Sequence, residues 1–182
     1  MKMGKYFILK SFNSDITDED LIIELEDDYG WLINSGCNLD NMQFIAKAYG
    51  DDNLVLQQSL LCINFNIYIL SPEFRDFVEQ IITVDHQWLD VDIFNSSDKL
   101  ITSEYKILNI INPTKCINLE ESSYKILHEE TKEYLFYQLV VEKEKLDVEF
   151  GCLDLSKELF VSERIKHQID RNKFVSVAFK EI

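Results

Sequence analysis

The sequence predicts an α+β fold, with mixed, largely antiparallel sheets and a few covering helices, and two similar stretches carry that prediction. Residues 69–81 read ILSPEFRDFVEQI, and residues 159–169 read LFVSERIKHQI. In each stretch an apolar strand end is followed by a serine, an acidic residue and an amphipathic helix pattern. A second strand pattern follows each helix. The chain therefore contains two strand–Ser-capped helix–strand units, which arose by internal duplication or recur because such units are common.

The first half of the chain predicts mainly strands. Residues 5–12 form an apolar first strand, and residues 21–26 (LIIELE) fit either a short helix or a strand. Apolar and polar residues alternate over 61–69, which predicts a single half-buried strand. Ser71 ends that strand and offers a hydroxyl to cap the next helix. Residues 87–94 alternate again and predict a returning strand.

The second half repeats this plan after a central stretch of short elements. Residues 105–111 and 116–119 predict two strands on either side of an Asn-Pro turn. Residues 135–146 predict a strand that runs into a turn. Ser162 is expected to cap the second helix, and residues 173–179 are expected to return as a strand.

Length and composition favour one packed domain over residues 1–182. Apolar residues make up 46% of the chain, enough for a core, and no Gly/Ser-rich linker divides it. We distinguish an acidic N-terminal portion, 1–58, from the remainder, 59–182. The longest apolar runs are too short for a membrane span or a signal peptide, so we expect a cytoplasmic protein. The composition does not set the oligomeric state.

Motifs for catalysis, metal binding and cofactor binding are missing from the sequence. The histidines and the four cysteines are scattered, without the spacing of a zinc site, and the thiols are expected to be mostly buried. The glycines form no dinucleotide-binding or phosphate-binding loop. We therefore predict no catalytic residues, no metal and no cofactor. An enzyme without a recognisable motif remains an alternative. Its best available cluster is Asp85, His86, Asp90 and Asp92. However, Asp90 and Asp92 also fit the solvated face of a strand, and His86 also fits a solvent-facing turn.

Charge is the most informative global property. The net charge is −15, which disfavours binding to nucleic acid or to anionic membranes and favours a basic protein partner. Between Ser11 and Ala46 there are nine acidic residues and no Lys or Arg. The candidate partner-binding residues, with two aromatic anchors, are Asp15, Asp18, Glu19, Asp20, Glu24, Glu26, Asp27, Asp28, Tyr29 and Trp31. The alternative is a merely solvated acidic face with Trp31 in the core.

The part of the chain from about residue 65 to 182 resembles a family of bacterial immunity proteins from polymorphic toxin systems, formerly a domain of unknown function. Such systems serve contact-dependent competition between bacteria. The matching positions are Asn109–Asn112, Cys116, Glu120, Ser122 or Ser123, Leu146, Phe160, Ser162, Glu163, Lys166, Val177, Phe179 and Glu181. Asn118 departs from the Asp common in that family, and Val175–Ser176 replaces a common Thr-Gly pair.

The resemblance implies a cytosolic protein that neutralises a cognate toxin C-terminal domain by binding and occluding it. It supplies no catalytic residues. Charge favours a basic toxin domain, such as a nuclease, because an acidic face can occlude a basic cleft. A second class of function stays open, a small acidic adaptor or structural protein, for which a large exposed apolar patch would be the sign.

Overall fold

The computed structural model describes residues 4–11, 21–26, 29–63, 66–131 and 133–182. Within these ranges it contains α-helices and β-strands in the proportions of an α+β fold, as the sequence predicts. The helices are α1 (Asp52–Gln57), α2 (Pro72–Ile81) and α3 (Glu163–Asn172). The strands are β1 (Tyr6–Ser11), β2 (Leu21–Leu25), β3 (Gln43–Gly50), β4 (Leu60–Ile63), β5 (Ile67–Leu70), β6 (His86–Asn95), β7 (Leu100–Thr102), β8 (Lys106–Ile110), β9 (Ser123–His128), β10 (Glu133–Gln138), β11 (Phe150–Cys152), β12 (Leu159–Ser162) and β13 (Val177–Glu181).

The largest sheet has seven strands and is mixed. Six of them follow the order β2-β3-β6-β8-β5-β4, and β7 pairs with the far end of β6. The β3–β6 pair is parallel, and the other pairs are antiparallel. The sheet curls until its outer strands, β2 and β4, approach each other. Its two faces consequently have different surroundings, one enclosed and one facing outward.

Two smaller sheets complete the fold. The first is antiparallel, in the order β11-β12-β1-β13, so the N-terminal strand β1 lies between two C-terminal ones. The second is the hairpin of β9 and β10, which pair with each other alone among the described strands. Among the described residues, no helix combines the length and apolar character that crossing a bilayer requires.

Both predicted strand–helix–strand units are confirmed, including their caps. The Ser71 hydroxyl accepts a hydrogen bond from the Phe74 amide at 3.3 Å, and the Ser162 hydroxyl accepts one from the Ile165 amide at 3.4 Å. In each unit the two strands flank a third strand and run antiparallel to it: β5 and β6 flank β8, and β12 and β13 flank β1. Each helix is thus a crossover between parallel, non-adjacent strands.

Buried apolar side chains form three clusters. The first joins α2 and α3 to both larger sheets and includes Tyr68, Phe74, Phe150 and Ile165. The second fills the enclosed face of the seven-stranded sheet, and the third lies beside β12, around Phe160. Because the first cluster draws on both sheets and both helices, those elements share one core.

Several predicted elements are wrong in detail. Residues 61–69 do not form one strand: they form the β4–β5 hairpin, which turns at Asn66 in the left-handed region with φ of 56°. Both faces of β5 are buried, since Tyr68 lies in the first cluster and Ile69 in the second. Residues 116–119 are not a strand, because only Ile117 makes an isolated bridge. The last strand begins at Val177, four residues later than predicted.

Two open points of the sequence analysis are resolved. Residues 21–25 form strand β2 and not a helix. The thiols are predicted to be mostly buried, and two of the four are: Cys116 and Cys152 are buried, Cys37 is partly buried, and Cys62 is exposed. Burial raises the pKa of Cys116 to about 12, which makes it a poor nucleophile.

Candidate functional site

The predicted acidic face is only partly within the described residues. Asp15, Asp18, Glu19, Asp20, Asp27 and Asp28 lie outside them. Glu24 and Glu26 belong to β2 and the residue just after it, where side chains alternate between the two faces of the sheet. Leu21, Ile23 and Leu25 pack against the second cluster, which turns Glu24 and Glu26 outward.

Strand pairing extends this acidic edge into a continuous surface. Ile22 lies opposite Tyr49 and Glu24 opposite Lys47, while Lys47 in turn lies opposite Phe94. We call this surface the outer face, formed by Ile22, Glu24, Glu26, Gln43, Ile45, Lys47, Tyr49, Asp90, Asp92, Phe94 and Leu100. The pairing of strands distant in sequence brings these side chains together.

The outer face exposes large apolar side chains among its charges. Ile22 and Leu100 are each 47% exposed, and Tyr49 is 40% exposed. They are distributed over β2, β3 and β7, so the apolar area spans the width of the surface. An exposed apolar area with a charged border is typical of a protein–protein contact surface.

Negative charge exceeds positive charge on the outer face. Lys47 forms ion pairs with Asp98 at 2.7 Å and with Glu26 at 3.6 Å, and Lys106 forms one with Asp90. The hydrogen bond to Asp98 raises the pKa of Lys47. Glu24 has no ion pair among the described residues, and the Asp92 carboxylate accepts a hydrogen bond only from the neutral amide of Gln43, at 2.7 Å. The outer face therefore carries four carboxylates and one lysine, and Asp98 and Lys106 lie at its border.

The two predicted aromatic anchors are exposed. Tyr29 is 56% and Trp31 is 38% exposed, which contradicts the alternative that Trp31 lies in the core. Trp31 belongs to a short 3₁₀ turn, Gly30–Leu32, that follows β2. Gly30 allows this turn to lie against the sheet, since a Cβ there would come within 2.9 Å of a methyl group of Leu25.

The side chains of the alternative catalytic cluster engage separate partners. His86 contacts Val84 and Glu79, and the Trp88 indole also donates to Glu79, at 2.6 Å. The hydrogen bonds from Trp88 and His86 lower the pKa of Glu79. Asp85 accepts from Asn112, at 2.9 Å, and the two other carboxylates of the cluster lie on the outer face. His86 is the half-buried first residue of β6, so its prediction as part of a solvent-facing turn is wrong.

The described residues also offer no ready metal site, since no group of three or more His, Cys, Asp or Glu side chains converges there.

Apart from the outer face, exposed apolar side chains are concentrated in the β9–β10 hairpin, at Ile126, Leu127, Leu135 and Tyr137. These residues are not predicted from the sequence. Alternation in 123–128 and 133–138 was available as a signal, but both faces of each strand carry apolar residues, which obscures it.

Comparison with known proteins adds no further assignment. No protein-family model matches the chain, and no curated protein matches it. The outer face and the chemistry of its side chains are therefore the basis for a functional proposal.

Proposed function

We propose that this chain is an immunity protein, which binds a cognate bacterial toxin domain and neutralises it by occlusion, without catalysis of its own. The observation that carries the proposal is the outer face, because it combines exposed apolar side chains with an excess of carboxylates. A net charge of −15 supports a basic partner, and the resemblance of residues 65–182 to immunity proteins supports a toxin as that partner.

The outer face has the features of a surface that binds a basic cleft. Carboxylates such as Glu24 and Asp92 would attract the partner and speed encounter, to roughly 10⁸–10⁹ M⁻¹s⁻¹ at low salt. Ile22, Tyr49 and Leu100 would supply the apolar area that excludes water once the complex forms. Tyr29 and Trp31 are exposed in the segment that follows β2, and they would add aromatic area to a contact that extends beyond that strand.

The test begins with growth rescue. The C-terminal segment of the large protein encoded immediately upstream is induced in cells with and without this chain. Arrest without the chain and growth with it would support the immunity function, and a complex on a sizing column would support occlusion. A toxic segment from which the chain gives no protection would refute that pairing.

Charge reversal then tests the surface separately from the function. We expect the double variant Glu24→Lys, Asp92→Lys to lower toxin affinity at least about tenfold, mainly through a slower association rate. The matched control is Glu120→Lys, Glu121→Lys, which reverses two exposed charges in the loop before β9. Equal affinities for the two variants would reject the outer face while leaving the immunity function intact.

A second candidate function is an oligomeric structural or adaptor protein, and the β9–β10 hairpin favours it. Leu127 is 47% and Tyr137 is 67% exposed, and a lone two-stranded hairpin is only marginally stable in water. Pairing with the hairpin of a second copy would cover these residues. Sedimentation velocity tests this candidate: a dimer that Leu135→Ser with Tyr137→Ser converts to a monomer would support it, and a wild-type monomer at high concentration would reject it.

A further inference from the structure

A cavity of about 460 Å³ shares no lining residue with the outer face. It is bounded by the turn after the Gly30–Leu32 segment, the chain after β8 and the loop between β11 and β12. Its polar lining residues are Ser35, Asn112, Lys115, Thr131, Asp154 and Lys157. Its volume is within the usual range for sites that bind small molecules.

Lys157 is a buried cation at this cavity. Only 8% of the residue is exposed, and its ammonium group donates a hydrogen bond to the backbone carbonyl of Trp31. Within the described part of the chain, no carboxylate is close enough to form an ion pair with it. Burial lowers the pKa of Lys157, and the more distant Glu133 acts in the opposite direction. A neutral carbonyl is weak compensation for a buried positive charge.

Asp154 is a half-buried carboxylate at the same cavity, and the positive charge of Lys115 acts on it. Its Oδ1 atom is buried and has no hydrogen-bond partner among the described residues. Burial raises the pKa of Asp154 above its ordinary value. Asp154 and Lys157 line one cavity and carry opposite charges, yet they do not form an ion pair with each other. A ligand with an anionic end and a cationic end would complement both groups.

The loop between β11 and β12 holds these two side chains apart. Lys157 has a left-handed backbone with φ of 57°, and its amide donates to the Leu153 carbonyl at 3.0 Å. The Asn66 amide group donates to the Ser156 carbonyl at 2.7 Å, which ties the loop to the β4–β5 hairpin. A left-handed non-glycine residue is strained, and such strain is concentrated at functional sites.

The two hydroxyls of the lining are oriented as acceptors. The Ser35 hydroxyl donates to the Leu32 carbonyl, and the Thr131 hydroxyl donates to the Glu133 carboxylate at 2.8 Å. A hydroxyl has one proton to donate, so both can offer only lone pairs to a ligand. The cavity thus combines lysine donors, at positions 115 and 157, with acceptors from a carboxylate and two hydroxyls.

We propose that this cavity binds a small molecule of the amino-acid class, with a carboxylate at one end and an ammonium group at the other. Lys157 and Lys115 hold the carboxylate. Asp154, Ser35 and Thr131 accept hydrogen bonds from the ammonium group. A simple anion satisfies only the lysines, and a simple amine satisfies only the acceptors, so each should bind more weakly than the zwitterion.

Calorimetric titration of the full chain tests the proposal, with glycine, L-serine and L-glutamate as probes. Acetate and ethanolamine are the single-ended controls. We expect at least one amino acid to bind, and both single-ended probes to bind at least about tenfold more weakly. No binding by any amino acid, or acetate binding as tightly as the best amino acid, would overturn the proposal.

Variants locate the site. Lys157→Met and Asp154→Asn should each weaken amino-acid binding at least about tenfold. The control is Lys173→Met, because Lys173 shares the left-handed backbone, with φ of 56°, but is exposed elsewhere. If Lys157→Met does not fold, Asp154→Asn and Lys115→Met provide the same test. Undiminished binding by folded variants would overturn the assignment.

Discussion

Replacement of Asn109 by alanine should destabilise this protein far more than one polar substitution usually does. Asn109 is fully buried in β8, with its side chain directed at the segment between the 3₁₀ turn and β3. Its Oδ1 accepts a hydrogen bond from the Asn34 backbone amide at 2.8 Å. Its Nδ2 donates to the Cys37 backbone carbonyl and to the Gln87 side-chain oxygen, both at 3.0 Å. One side chain thus holds three groups from two other parts of the chain.

The magnitude follows from the groups that alanine would leave unpaired. The Asn34 amide and the Cys37 carbonyl would both lose their partner, and an unsatisfied buried group costs roughly 1–3 kcal/mol. We therefore expect a loss of about 2–6 kcal/mol in the free energy of unfolding. Because small domains have about 5–15 kcal/mol in total, this loss is a large part of their stability.

Urea denaturation of the variant measures this loss, and amide hydrogen exchange locates it. Exchange at Asn34 should accelerate more than exchange at Phe74, which lies in a different part of the core. The control is Asn112→Ala, since Asn112 is exposed and donates to the exposed Asp85 carboxylate; its cost should stay below about 1 kcal/mol. Similar losses for both variants would refute the reasoning.

Three other predictions have defined outcomes. Ser71→Ala and Ser162→Ala should each lower the free energy of unfolding by about 1 kcal/mol, measured in urea, and Ser→Asp at either site should lose less. Gly36→Ala should cost about 1–2 kcal/mol by the same measurement, because φ is +88° and a backbone carbonyl lies 3.3 Å from the added Cβ. Arg164→Met should raise the pKa of Glu149, followed by NMR titration, because the Arg164 hydrogen bond lowers it. Since that pKa is lowered in the folded state, the wild type should lose the small contribution of this pair as pH falls through the Glu149 pKa, and the variant should not.

The parts of the fold that the sequence predicted are those that local chemistry determines. Ser71 and Ser162 each precede an amphipathic run, and each hydroxyl caps a helix as expected. The period of two in β6 places Leu89 and Val91 inside and Asp90 outside, again as expected. In these elements both the evidence and its consequence lie within about ten residues.

The errors arise where contacts between distant residues decide the conformation. The alternation over 61–69 is real, and Leu61 and Ile69 do lie on one face, but the chain reverses at Asn66 between them. In a hairpin whose paired residues are an even number of positions apart, the same residues share a face as in one continuous strand. Periodicity alone therefore does not distinguish the two. Burial of Tyr68 on the other face depends on packing by α2 and β1, which the local sequence does not show.

Only part of the outer face could be predicted from the sequence, because contacts between distant residues complete it. Glu24 and Glu26 stand out in the sequence as charges without compensation, and Tyr29 and Trp31 follow them directly. Tyr49 and Leu100 become part of the same surface only through the β2–β3 and β6–β7 pairings. The parallel pairing of β3 with β6 connects these parts, although about forty residues of chain separate the two strands.

The residues that carry the resemblance to immunity proteins are mostly not those proposed to touch a toxin. Cys116 and Phe160 are buried, and Ser162 caps α3. Variants at these positions would reduce protection by lowering the amount of folded protein, whatever surface binds the toxin. Loss of protection is therefore informative about the outer face only for a variant whose free energy of unfolding is unchanged. Glu24 and Asp92 meet that requirement better than the buried residues of the resemblance, because their charges can be reversed without opening a cavity in the core.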